Sequence, residues 1–187
     1  MTFAAAGAGG TVALMLWKLR LLWYRTDWAP VAFALYFGLV VGALVYGFLE
    51  VTEYRDAQAA RVREFHARSL DCLARNVYYE ARGESAAGQY AVAEVTMNRK
   101  ASLRYPKTVC EVVYQKEAFS WTELSVLEAP EGEAWKQAVK VAEDVYYQRR
   151  PPMLQPNVLH FHATYVQPDW AKEKKRVARI GQHVFYR

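Results

Sequence analysis

The chain has 187 residues, with 24 Lys+Arg against 19 Asp+Glu and a formal net charge of +5. At 53% hydrophobic and 23% charged it is too apolar for a disordered chain, and with 10 Gly and 7 Pro it is neither collagenous nor of low complexity. Two Cys exclude a disulfide-dense mini-protein or a Cys-rich zinc module. No basic stripe has the density a nucleic-acid binder needs, so no nucleic-acid partner is expected.

Residues 1–17 are uncharged, rich in Ala and Gly and only weakly apolar. They suit a disordered lead, an interfacial segment or a poor second span. A cleaved signal peptide fits less well, because Lys18, Arg20 and Arg25 follow the apolar run instead of preceding it. Residues 31–49, VAFALYFGLVVGALVYGFL, carry no charge and are long enough to cross a hydrocarbon core of about 30 Å. Trp28 stands where an interfacial aromatic belongs, and Pro30 suits a first helical turn. Gly38 and Gly42 form a G-x-x-x-G that permits helix–helix self-association. Basic residues precede the span, while Glu50, Glu53 and Asp56 follow it. The N-terminus is therefore expected in the cytoplasm, with the rest of the chain outside a bacterial inner membrane, in the periplasm.

We expect residues 1–28 to be a cytoplasmic segment, 29–49 a single membrane helix, 50–68 a stalk or linker and 69–187 a globular domain. The stalk lacks Gly and Pro and reads as a continuing helix or a flexible tether. Ser69 is expected to cap a new helix bearing Leu70, Leu73 and Val77, ending near Gly83. A second helix is expected over 86–99, with Ala91, Val92 and Val95 inward. Thr108 and Glu111 form a T-x-x-E capping box for a short helix through Val112 and Val113. A longer helix over 131–148 repeats Trp135, Ala138, Val139, Ala142 and Val145 at helical spacing, and Pro151 and Pro152 stop it. Residues 118–122, 158–163 and 183–186 are the strand candidates. The run Lys172, Lys174, Lys175, Arg176 and Arg179 reads as a solvated face or as a basic rim attracting an anionic polymer. The fold class is α+β, mainly helical, with a small sheet.

Cys72 and Cys110 both fall in the expected exported part. In an oxidising compartment such a pair reads as a disulfide; two buried thiols are the alternative. The segment Tyr78-Tyr79-Glu80-Ala81-Arg82-Gly83-Glu84 delivers two carboxylates near a helix end. Burial there raises a carboxyl pKa, which is what a general acid for glycosidic cleavage requires. Solvated Glu residues beside Arg82 are the bland alternative.

Residues 72–114, CLARNVYYEARGESAAGQYAVAEVTMNRKASLRYPKTVCEVVY, followed by F-S-W-T, H-F-H-A and I-G-Q-H-V-F-Y blocks, resemble the SleB/CwlJ family of cell wall hydrolases. The resemblance covers about 69–187 and implies a lysozyme-like or lytic-transglycosylase-like fold acting on peptidoglycan, without metal or cofactor. It carries the catalytic acid/base onto Glu80. Glu84 becomes a hydrogen-bonding partner or substrate contact. The one-Glu pattern, with no obvious second acid beyond Glu123 near the F-S-W-T block, favours a lytic transglycosylase over a hydrolase.

Ser120 and Thr122, on an alternating strand, and His162 are expected to line the cleft, with Tyr78, Trp121 and Tyr165 as sugar-stacking or core aromatics. His160, His162 and His183 form a weak metal set, set against histidines that bond sugar or a carboxylate. Family members carry Cys on both sides of F-S-W-T, where this chain has Ala118 and Glu123. The readings left open are a silent wall-binding or structural protein, a membrane interaction protein and a metal-dependent peptidase.

Overall fold

The computed structural model describes residues 8–25 and 27–187. The reading of residues 1–7 lies outside them. The chain divides into two compact units, Met1–Gln58 and Ala59–Arg187.

In the first unit, α1 (Ala8–Arg25) covers most of the weakly apolar lead. Asp27 Oδ1 accepts the Ala29 N–H at 3.0 Å where α2 (Ala29–Ala81) begins. Pro30 stands in the first turn, where its missing N–H costs nothing. Large apolar side chains of this unit are exposed all round α2, among them Phe33, Leu35, Leu39, Leu44 and Phe48. Its apolar stretch is long enough to cross a membrane.

α2 continues without a break through residues 50–68 and on to Ala81. Ser69 therefore caps nothing: it lies inside the helix, 2% exposed. The physical reason is the sequence itself, which has no Gly or Pro between Gly47 and Gly83.

In the second unit the last turns of α2 pack beside α3 (Ala86–Ala101). Ser85 caps α3 by accepting the Gly88 N–H. α4 (Val109–Val113) opens with the expected Thr108/Glu111 capping box, both halves of which form. α5 is Gly132–Tyr146. Leu73, Val77 and Tyr78 of α2, Val109 and Val113 of α4, and Ala138, Val141 and Ala142 of α5 share one apolar core. The disulfide Cys72–Cys110 ties α2 to α4, with Cα atoms 5.3 Å apart.

A three-stranded antiparallel sheet closes the domain. β1 (His160–Ala163), β2 (Arg176–Ile180) and β3 (His183–Tyr186) stand in the order β1-β3-β2. Phe185 meets Ala91 and Val95 of α3, with Leu154 and Val158, in a second apolar cluster. Opposite pairs such as Phe161↔Phe185 and His162↔Val184 set the register.

One strand expectation fails here, and one strand went unread. Residues 118–122 are no strand: Ser120–Glu123 is a 3-10 turn. The Thr122 hydroxyl donates to Phe119 O, and Trp121 turns inward to donate its Nε1–H to Asn76 Oδ1. That buried anchor outweighs the β propensity of the segment. Conversely, the basic run holds β2, an edge strand. Its arginines are exposed, as a solvated face would have them, and such charges are what an edge strand uses against unwanted pairing.

Candidate functional site

Glu80 lies one turn beyond Asn76 on α2, so the two share a helix face. Asn76 is fully buried. Its Nδ2 donates to Thr96 Oγ1 at 3.0 Å while its Oδ1 accepts from Trp121. This network fixes the α2 end against α3 and the 3-10 turn, and with it the position of Glu80. The Glu80 carboxyl has no hydrogen bond or ion pair among the described residues. Burial pushes its pKa up to about 7, against the nearby Arg99 charge, which pulls the other way. Arg99 is itself held beneath the site: its Nε donates to Leu159 O and its guanidinium lies over Phe119.

Glu84 is held quite differently. Its side chain is 10% exposed, and both carboxylate oxygens accept the Gln182 N–H at 3.2 Å. Gly181, at φ +56°, makes that approach possible, because a Cβ there would overlap Glu84 Oε2. His183 Nδ1 stands 3.8 Å from Glu84 Oε1 without a hydrogen bond. Burial holds His183 below its ordinary pKa, outweighing Glu84, which favours the charged form. Glu80, Glu84, Ala163, Tyr165, Gln182 and His183 surround an open cleft of ≈ 200 Å³. Tyr165 stands at its rim, 83% exposed.

Other expected site residues are elsewhere. Tyr78 is 5% exposed and packs edge-on against Tyr79 and Trp135, which leaves no ring face for a sugar. Trp121 is likewise core. Ser120 is exposed and Thr122 is turned to Phe119 O. With the strand absent, neither is directed into this cleft. His162 is on the opposite face of the sheet: its Nδ1–H donates to Ala163 O and its Nε2 accepts from the Tyr186 hydroxyl, both at 2.9 Å. His183, paired with Ala163, faces the other way and packs on Phe161. The pleat thus separates His183 from His160 and His162. Among the described residues no group of three His, Cys, Asp or Glu could hold a metal ion. Asn76, Arg99, Gly181 and Gln182 escaped assignment from sequence. The only signal was the turn glycine before Gln182.

A desolvated carboxyl near a helix end thus borders a cleft beside a helical core and a small antiparallel sheet. Residues 83–186 match the family model described as Cell Wall Hydrolase. The chain is 29% identical over 132 residues to the spore cortex-lytic enzyme of Bacillus subtilis (strain 168), covering 70% of this chain and 42% of that protein. It is 27% identical over 121 residues to that of Bacillus cereus (strain ATCC 14579), covering 65% and 45%. The chain thus spans less than half the length of these relatives. The solved catalytic domain of germination-specific lytic transglycosylase SleB from Bacillus anthracis superposes with a TM-score of 0.51 at 27% identity, covering 64% of this chain and 93% of that one. The chain belongs to the SleB/CwlJ-like cell wall hydrolase family.

Proposed function

We propose that the protein is a membrane-anchored peptidoglycan lytic transglycosylase in which Glu80 is the one acid/base. The observation that carries this reading is the contrast in the cleft: a Glu80 carboxyl with a pKa of about 7 and no partner among the described residues, beside a Glu84 carboxylate already engaged by Gln182 N–H. Near neutral pH a substantial share of Glu80 is protonated and able to donate.

In the reaction Glu80 gives its proton to the glycosidic oxygen as the bond to muramic acid C1 breaks. The Glu80 carboxylate then takes the proton of the muramic acid 6-hydroxyl, whose oxygen bonds to C1. A 1,6-anhydro ring forms and no water is consumed. A hydrolase needs a second carboxylate free to activate water or attack C1. Glu84, held by Gln182, is poorly suited to that. Tyr165 at the rim offers a ring face to a sugar.

The apolar stretch of α2 exposes large side chains on every face, a burden in water and an advantage in lipid. With the basic residues before it, this supports one span with the N-terminus cytoplasmic and residues 69–187 outside. A Cβ at Gly38 or Gly42 would meet nothing within 4 Å, which leaves room for a partner helix.

The test uses the full chain in detergent micelles with purified peptidoglycan, and reads released muropeptides by mass spectrometry. The expected products are anhydro-muropeptides, one water lighter than hydrolysis products and absent with Glu80→Gln. Ordinary reducing ends would make it a hydrolase, and no glycan products would make it a silent wall binder.

A further inference from the structure

The opposite face of the sheet carries a second groove, of ≈ 390 Å³, whose walls include His162, Thr164, Lys172, Arg176, Arg179 and Tyr186. No carboxylate lines it. Its charge is placed by a β-bulge. Three positions apart on a regular strand, Arg176 and Arg179 point to opposite faces. Here the register slips between Arg176 and Ala178, so Arg176 pairs with Tyr186 and Arg179 with Val184. Tyr186 and Val184 share a face on β3, and both arginines therefore join His162 on one side. Neither arginine has an ion pair or side-chain hydrogen bond among the described residues. Three other arginines of this domain are engaged: Arg75 with Asp71, Arg149 with Glu143, Arg150 with Glu94. Lys172 is paired with Asp169, so the two guanidinium groups supply the unspent charge. The groove's inner wall is rigid: the His162 ring stacks on Tyr186, with Trp170 edge-on to both.

We infer that this groove is a second wall-binding site, in which Arg176 and Arg179 bind the carboxylates of peptidoglycan stem peptides. Guanidinium forks match a carboxylate in two-point contacts. The inference rests on the proposed substrate, whose strands carry a carboxylate-bearing peptide at regular intervals. A polymer held on one sheet face while another stretch occupies the Glu80 cleft keeps the enzyme on the wall between cleavages.

The test measures co-sedimentation of the full chain with purified sacculi in detergent at rising salt. It is made in the Glu80→Gln background so that the sacculi stay intact. Arg176→Gln with Arg179→Gln lowers retention by about five-fold or more at low salt. Amidating the stem-peptide carboxylates gives the same loss, and combining the two adds nothing. Arg176→Lys with Arg179→Lys retains part of the binding, which separates loss of charge from loss of fold. Lys136→Gln with Lys140→Gln on α5, the control for net charge, leaves retention unchanged.

Equal retention of the Gln pair and its parent overturns the inference, as does an equal loss in the control. Loss on stripping phosphodiester polymers from the sacculi, with none on amidation, also overturns it and makes phosphate the ligand. Cleavage by the otherwise unaltered chain is scored separately. Absent cleavage with intact arginine-dependent retention removes the proposed reaction and leaves this site standing.

Discussion

Glu80 and Glu84 are the same residue type four positions apart, and their surroundings differ: one carboxyl is desolvated, the other is held by the Gln182 N–H. A raised pKa in the folded state means that the folded chain holds a proton the unfolded chain has released. Stability from this group is therefore present below the ordinary value of 4.5 and is lost as pH rises towards about 7. Glu80→Gln removes that cost. We predict that the variant unfolds at a higher temperature than the parent at about pH 8, by up to roughly 3 kcal/mol of stability, and that the difference vanishes near pH 4. Paired thermal melts across pH check this. In the same way, Gly181→Ala forces a Cβ onto Glu84 Oε2 at a positive φ. It is expected to cost about 1–3 kcal/mol and to lower cleavage together with stability, as denaturant melts and rate assays would show. Through its resemblance to the family, the sequence marked the E-A-R-G-E block as the segment to which the proposed catalysis is assigned. It held no sign that Glu84 is engaged by Gln182, 98 positions away.

At the scale of elements, what was legible was local. The Thr108/Glu111 box, the start of α3 at Ala86 and the aromatic β3 follow from neighbouring residues and came out where their chemistry puts them. Apart from the Ser69 cap, the errors share the opposite cause. The F-S-W-T segment has strand-like residues, but Trp121 answers to Asn76 on another helix. The basic run before Ile180 hides β2, whose pairing with β3 depends on residues that are its neighbours only after folding. The cysteines were legible as a pair, and the bond they make closes a separation of 38 residues. In the chain-entropy model this is worth about 4 kcal/mol. Reduction is predicted to lower the unfolding free energy by that much in matched denaturant melts with and without reductant.

At the scale of the whole molecule, two partly buried groups pull stability in opposite directions with pH. Burial, followed by the charges of Lys174, Arg99 and Arg104, pushes His160 down to about 4. Its contribution is present above its ordinary value of 6.5 and is lost as pH falls through about 4, the reverse of Glu80. His160→Gln is therefore expected to resist acid better than the parent between about pH 6 and pH 4, which acid titration followed by circular dichroism checks. The membrane reading belongs to this scale too. Val40→Lys in the middle of the apolar stretch is predicted to cost about 2.5–3.5 kcal/mol of insertion and to shift the chain from the membrane pellet to the carbonate-extractable fraction.

The central claim is that one carboxyl, Glu80, does the proton chemistry while Glu84 holds the cleft together. Its most direct test compares muropeptide release by the parent chain, Glu80→Gln and Glu84→Gln under identical conditions near neutral pH, each checked for an intact fold by its melting temperature. The account predicts a loss of about 10²-fold or more for Glu80→Gln in a fully folded protein, and for Glu84→Gln a smaller loss that tracks lowered stability. A folded Glu80→Gln chain that still cleaves, or a folded and undiminished Glu84→Gln chain that does not, would contradict it.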